Sequence, residues 1–355
     1  MKNIQFPLHQ TKVDGVKQKF VLTDPKDRKK YFQAKAGFEI ERIKTYLKNG
    51  TFVAYLLGKK NAGKGTYAKM FMEIFGQEKL AHISVGDIVR DVHAMIEESG
   101  ISKLKEYLND NYRGYIPLNE AIDALLGRST TNLLPTEFIL TLIKWEVDKH
   151  AGKSVFLDGF PRNLNQVAYS LFFRDLINHR NDPDFFILID VPMAVIDERI
   201  KTRVICPICQ TPRALKLNTT PEVGYDKEKK DFYLKCDNPD CKLARMVGKE
   251  GDELGIEPIR ERLEADENLI ERAFGLYGVP KVFLRNAIPV EKAKEIADDY
   301  EITPEYVYHY DAKTEKVTTG QQSYTIKDDR GIDSYSLLPA AVVLSMIRQI
   351  GEILG

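Results

Sequence analysis

The stretch TFVAYLLGKKNAGKGTYAKM, residues 51–70, decides the fold. An apolar run, TFVAYLLG, enters a loop rich in glycine and lysine, and an amphipathic segment, TYAKMFMEIF, leaves it. Gly58, Gly63 and Lys64 keep the spacing G-x-x-x-x-G-K. A strand that bends through glycines into a helix N-terminus turns several backbone N–H groups toward one point, where a phosphate can bind. Asn61, Ala62 and Gly63 would form that cradle, and Lys64 would reach the β- and γ-phosphates. Most such loops follow the lysine with Ser or Thr, a Mg²⁺ ligand. Here Gly65 follows, and Thr66 comes one place later. Either Thr66 serves, or carboxylates elsewhere hold the ion through its waters, as suits Mg²⁺ that travels with a nucleotide.

Short apolar runs alternate with helical patterns on both sides of this loop. Strands are expected at 51–58, 81–84, 153–158, 184–190 and 305–309. Continuous Val, Ile, Leu and Phe between amphipathic helices imply a parallel sheet covered on both faces. Such a sheet binds ligands at the carboxyl ends of its strands. Residues 1–50 read as an extension with one helix, 25–48, closed by Asn49-Gly50. Residues 51–355 form the core, interrupted by a mostly helical insert at 88–137 and a second insert at 204–252. Residues 312–335 read as an extra hairpin or loop before a last apolar helix at 336–353.

Composition narrows the class. The 355 residues include 52 basic and 52 acidic side chains, so the net charge is zero. A protein that coats nucleic acid usually has a basic excess. No apolar run is long enough to span a bilayer, and MKNIQFPLHQTK lacks the apolar core of a secretory signal. The expected compartment is the cytoplasm.

All four cysteines lie in the second insert, as CPIC (Cys206, Cys209) and CDNPDC (Cys236, Cys241). Two tight pairs in a cytoplasmic chain suit a tetrahedral structural Zn²⁺ rather than disulfides. Metal binding also stabilises a lobe that has few large apolar residues.

Further motifs follow the loop in order: HISVGDIVRD (82–91), NLLPTE (132–137), VFLDGFPRNLNQ (155–166), DERIKTRV (197–204) and IRERL (259–263). Together with GKGT they resemble the nucleoside monophosphate kinases, and among those the adenylate kinases with a zinc-bearing lid. The resemblance covers roughly residues 51–310. It implies a P-loop three-layer α/β fold with a central five-stranded parallel sheet, an inserted monophosphate-binding lobe and a zinc lid.

The resemblance also implies roles. Gly58, Asn61, Ala62, Gly63, Lys64, Gly65 and Thr66 would bind ATP, with Arg199 stacked on the donor base and Arg203 on its phosphates. Arg90 would hold the acceptor phosphate. Val85, Asp87, Asn132, Leu133, Leu134, Gly159 and Gln166 would line the AMP pocket, Gln166 reading the adenine edge. Asp158 and Asp87 would anchor Mg²⁺ waters. Arg162 would bridge both phosphates, and Arg262 would reach the transferring phosphoryl group. One more basic residue is expected before Asp252-Glu253, and Arg245 and Lys249 both fit.

Six positions depart from the pattern. Lys60-Asn61 replaces Pro-Gly, though Asn tolerates left-handed backbone angles. Val85 replaces Thr, Asn163 resembles the pyrimidine-specific relatives, and Arg213-Ala214 replaces Tyr-His.

The implied reaction is Mg-ATP + AMP ⇌ 2 ADP, without a general base, because the acceptor phosphate is already ionised. The chain is expected to be a monomer binding ATP and AMP, with neither nucleic acid nor membrane as partner, and the extension is a possible oligomer contact. The alternatives are a UMP/CMP kinase of the same family and, from another class, a zinc-ribbon nucleic-acid-binding protein with an ATPase loop.

Overall fold

A computed structural model describes residues 1, 4–97, 102–127, 134–162, 166 and 183–355. Its centre is a parallel sheet of β1 (Val53–Gly58), β2 (Leu80–Ser84), β3 (Ser154–Asp158), β4 (Asp184–Asp190) and β5 (Lys281–Arg285). The spatial order is β2-β3-β1-β4-β5. The strand interiors are largely apolar because both faces are covered, and the charged residues sit at the strand ends. Ala54 and Leu56 point into one core with α1 (Pro25–Tyr46), α2 (Lys64–Phe75) and the last helix. Val53, Tyr55 and Leu57 point into the other, with α3 (Val85–Glu97) and residues of α4 (Ser102–Asn111), α5 (Leu118–Leu125) and α6 (Thr136–Asp148). That two-residue alternation fixes the register, since a slip by one residue would exchange the two faces.

The expected strand at 305–309 is not in this sheet; its place at the edge is taken by KVFLR, 281–285. Val282 and Leu284 are fully buried there. The tyrosines of YVYHY instead belong to an antiparallel ribbon, Pro304–Asp311 with Lys316–Ser323. Its first strand is half-exposed and its second mostly exposed, which suits a two-stranded ribbon and not a strand covered on both faces. The late hairpin therefore begins before residue 312. Thr325–Lys327, Asp333–Ser336 and Ala287–Pro289 form a small antiparallel sheet beside it.

The N-terminal segment is built into the core. Phe6, Phe20, Leu22, Tyr31 and Phe32 are buried. Asp24 caps α1 by accepting the Lys26 N–H, and Pro25 occupies the first turn, where its missing N–H costs nothing. The last helix, here α9 after α7 (Met193–Lys201) and α8 (Arg260–Phe274), spans Pro339–Leu354 and is buried along most of its length between α1, α2 and β5. Among the described residues no helix is long and apolar enough to cross a membrane.

The cysteine-bearing insert is a small β lobe. Arg203–Ile205 pairs with Pro212–Ala214 and Val247–Gly248, and Val223–Asp226 pairs with Asp231–Leu234. The 304–323 ribbon lies against it: Tyr310 stacks on Tyr225 at 4.2 Å, and the Tyr308 hydroxyl bonds to Leu215 O and Thr219 Oγ1.

Candidate active site

The phosphate loop occupies the turn between β1 and α2. Asn61 has φ 65° and Gly63 φ 96°, so both residues are left-handed, and the asparagine adopts the geometry expected of it. The Lys64 ammonium donates to Gly58 O at 2.8 Å and Lys59 O at 3.3 Å. It stands 3.7 Å from Asp158 Oδ1. Asp158 ends β3 in register with Leu56 of β1 and Ser84 of β2, at the carboxyl edge of the sheet. Gly65 and Thr66 open the first turn of α2. His82, on β2 beside them, has its pKa lowered by burial, with Asp158 opposing and Lys69 and Lys64 reinforcing the shift.

The acceptor-side residues converge on the same edge. Gly159 has φ 86°, and a Cβ there would come within 3.3 Å of the Arg162 guanidinium and 3.5 Å of Val85, so only glycine fits. Arg162 donates from Nε to Gly159 O at 2.9 Å, and its backbone N–H donates to Gln166 Oε1 at 2.8 Å. Gln166 is buried and donates in turn to Thr136 Oγ1 at 3.3 Å, which fixes the plane of its amide. Arg90 pairs with Asp87 along α3. A Cβ on Gly86 would lie 3.6 Å from Arg90 and 3.7 Å from Arg162, so the two guanidiniums flank one short stretch of backbone. Burial lowers the Arg162 pKa, and Arg262 lowers it further, as a cluster of like charges requires. Val85 is buried and Leu134 packs on the same apolar cluster. Asn132, Leu133 and Asn163 lie outside the described residues.

Of the arginines that flank the cysteine-bearing lobe, Arg199 reaches the loop from the other side. Arg199 donates to Asn61 O at 3.3 Å. Arg203 forms a two-pronged pair with Asp252 at 2.6 and 2.7 Å. Arg262 points its Nε at Asp266 Oδ1, 3.4 Å away. Arg245 is engaged inside the cysteine-bearing lobe, paired with Asp226 and lying 4.1 Å over the Tyr233 ring.

The four cysteine sulfurs lie within 4.8 Å of one another. Sulfurs around a tetrahedral Zn²⁺ at about 2.3 Å stand about 3.8 Å apart, and Cys209 and Cys236 are 3.6 Å apart. Three of the four thiols are buried. Hydrogen bonding from Thr211 pulls the Cys209 thiol down to about 6, whereas burial and its sulfur neighbours push Cys241 up to about 12. The donor set and spacing fit a closed zinc site.

Sequence reasoning missed three groups. Lys59 is wholly buried and pairs with Asp329, and Asp266 contacts the loop backbone. No local pattern distinguishes these charges from solvated ones.

A P-loop fold, a Lys–Asp pair at its carboxyl edge and converging arginines define a phosphoryl-transferring nucleotide kinase. Residues 57–204 match the sequence family described as "AAA domain". Over 214 residues the chain is 33% identical to an adenylate kinase of Thermotoga petrophila, covering 59% of this chain and 79% of that protein. It is 32% identical over 213 residues to the adenylate kinase of Thermotoga maritima, with 59% and 79% covered. To that of Clostridium novyi it is 30% identical over 210 residues, with 59% and 78% covered. The chain belongs to the adenylate kinase family and is a nucleoside monophosphate kinase.

Proposed function

We propose that the protein catalyses Mg-ATP + AMP ⇌ 2 ADP. An oxygen of the AMP phosphate forms a bond to the γ-phosphorus while the bond from that phosphorus to the β,γ-bridging oxygen breaks. The electron pair leaves with ADP, and no proton moves at the reacting atoms. The observation that carries this reading is the gathering of Lys64, Asp158, Arg162 and Arg90 at one sheet edge, with Arg262 acting on Arg162. Such a site works by placement and charge neutralisation.

Gly58, Asn61, Ala62, Gly63, Lys64, Gly65 and Thr66 hold the donor phosphates, with Arg199 and Arg203. Arg90, Gly159 and Arg162 hold the acceptor phosphate, alongside Val85, Asp87 and Leu134. Gln166 reads the base, its amide exchanging its bonds with the Arg162 N–H and Thr136 for the adenine edge when AMP binds. Arg262 meets the transferring group. Asp158 and Asp87 would hold the waters of Mg²⁺, which would supply charge neutralisation to the donor phosphates. With Arg245 occupied by Asp226, Lys249 is the basic residue left to serve beside Asp252. The zinc lobe closes as a lid over the donor and keeps water from the γ-phosphate.

A coupled assay with Mg-ATP and AMP, UMP or CMP tests the acceptor. Fast turnover is expected with AMP. Fast turnover with CMP or UMP and none with AMP would overturn the adenylate reading.

A further inference from the structure

Helix α8 leaves the lid and runs back under the phosphate loop. It carries two successive carboxylates, Asp266 and Glu267, for which the chemistry above has no use. The Asp266 side chain is 13% exposed, against 50% for Arg262 one turn earlier on the same helix. Its two oxygens face different partners. Oδ2 accepts the backbone N–H of Lys60, inside the phosphate loop, at 2.9 Å. Oδ1 receives Nε of Arg262 at 3.4 Å. Glu267 faces the preceding loop residue, its Oε2 3.8 Å from the buried Lys59 ammonium. One turn of α8 thus holds two consecutive residues of the loop and one arginine of the site. Asp266 also acts on Arg162, opposing the effects of burial and Arg262 there.

A guanidinium at the end of a long, half-exposed side chain has many rotamers, and fixing one costs entropy. A carboxylate already anchored to the loop reduces that cost and sets the distance between loop and guanidinium. We propose that Asp266 is a positioning residue for phosphoryl transfer, clamping the donor-phosphate loop through the Lys60 N–H and aiming Arg262 at the group in flight. The proposal rests on the reading above, in which the loop holds the donor and Arg262 meets the transferring group. The two arms separate kinetically. The loop arm affects donor binding, and the arginine arm affects turnover.

The test is a double-mutant cycle of Asp266→Ala and Arg262→Lys, read as kcat and as KM for ATP. Arg262→Lys alone should lower kcat by about a hundredfold. Asp266→Ala alone should lower kcat by about tenfold and raise KM for ATP by about threefold. In the Arg262→Lys background Asp266→Ala should cost kcat no more than about twofold while KM still rises, because the clamp acts on turnover through the guanidinium. Unchanged kcat in Asp266→Ala overturns the proposal, as does a tenfold loss that persists in full beside Arg262→Lys. Unchanged kcat in Arg262→Lys would instead remove the reading on which the proposal stands, and the proposal with it. Circular dichroism and a urea midpoint check each variant. Should Asp266→Ala fail to fold, the isosteric Asp266→Asn carries the same cycle.

Discussion

Lys59 and Asp329 form a buried ion pair across 270 residues of sequence, with Nζ 2.9 Å from Oδ2. The lysine side chain is wholly enclosed and the carboxylate is 8% exposed. Lys59 also donates to Val191 O at 3.2 Å, and Asp329 Oδ1 accepts the N–H of Met193 at the start of α7. The amino group of Met1 lies 2.7 Å from Asp329 Oδ2. A turn near the end of the chain therefore braces the residue that opens the phosphate loop.

Removing Asp329 leaves the buried Lys59 charge with only Glu267, 3.8 Å away, as an anionic partner among the described residues. Asp329→Ala should cost about 3–5 kcal/mol in urea unfolding. Burial alone would raise the Asp329 pKa, but the Lys59 ammonium and the Met1 amino group outweigh it and hold the carboxyl at about 2. The folded value lies below the ordinary 3.8, so the stabilisation is complete above pH 3.8 and is lost as pH falls toward 2. The acid-induced loss of stability across that window should be smaller in Asp329→Ala than in the parent. A loss of the same size in both, or a variant as stable as the parent at pH 7, would show that the pair does not brace the loop.

In the proposed reaction Lys64 contributes charge at the transferring phosphate and little to packing. Its ammonium contacts Gly58 O, Lys59 O and, more distantly, Asp158, all at the loop mouth. Lys64→Met should lower kcat by about 10²–10³ with a thermal midpoint close to the parent's. Near-normal turnover would refute the role of the loop.

Local patterns made the candidate site readable as motifs and left its supports hidden. The strand–loop–helix around Lys64, the DGFPR turn and the cysteine pairs are contiguous in sequence, and their short-range geometry follows from residue type. The edge strand was misread because YVYHY has the stronger β-forming composition, while KVFLR follows a helix and carries charge at both ends. Which run enters the sheet depends on the two-sided burial of Val282 and Leu284, a tertiary fact. Lys59, Asp266 and Asp329 look like surface charges in one dimension. Only the fold shows that Lys59 is enclosed and that a late turn supplies its partner.

The 304–323 ribbon is fastened to the lid by rings and hydroxyls. Tyr308 lies 5.4 Å from Phe232, and Tyr310 stacks on Tyr225 with an interplanar angle of 17°. Lys216, in the lid, reaches Glu305 of the ribbon at 3.1 Å and Glu198 of α7 at 3.3 Å. Tyr308→Ala should weaken this dock by about 1–2 kcal/mol. Amide hydrogen exchange should then accelerate in residues 204–252 and stay unchanged in the central sheet. Equal protection of the lid in both proteins would mean that the ribbon does not hold it.

The cysteine site gives the last prediction. Four sulfurs share one small lobe whose described apolar cluster is built largely from the cysteines themselves, with Leu234 and Met246. If the cluster holds zinc, as its geometry fits, a lobe with so little apolar core should depend on that metal for its fold, because the binding free energy is realised as folding free energy. The phosphate loop and the Asp158–Arg162 turn belong to the sheet and do not require the metal to form. Replacing Cys206 and Cys209 by Ser would remove two of the four proposed ligands. Zinc content measured by atomic absorption should fall from one per chain to nearly none, and the thermal midpoint should drop. Turnover at low temperature should stay within about threefold of the parent, because the lost free energy belongs to lid folding and not to the transition state. Zinc retained at one per chain would overturn the ligand assignment. A collapse of low-temperature turnover with normal ATP binding would mean that the folded lid contributes directly to the chemical step.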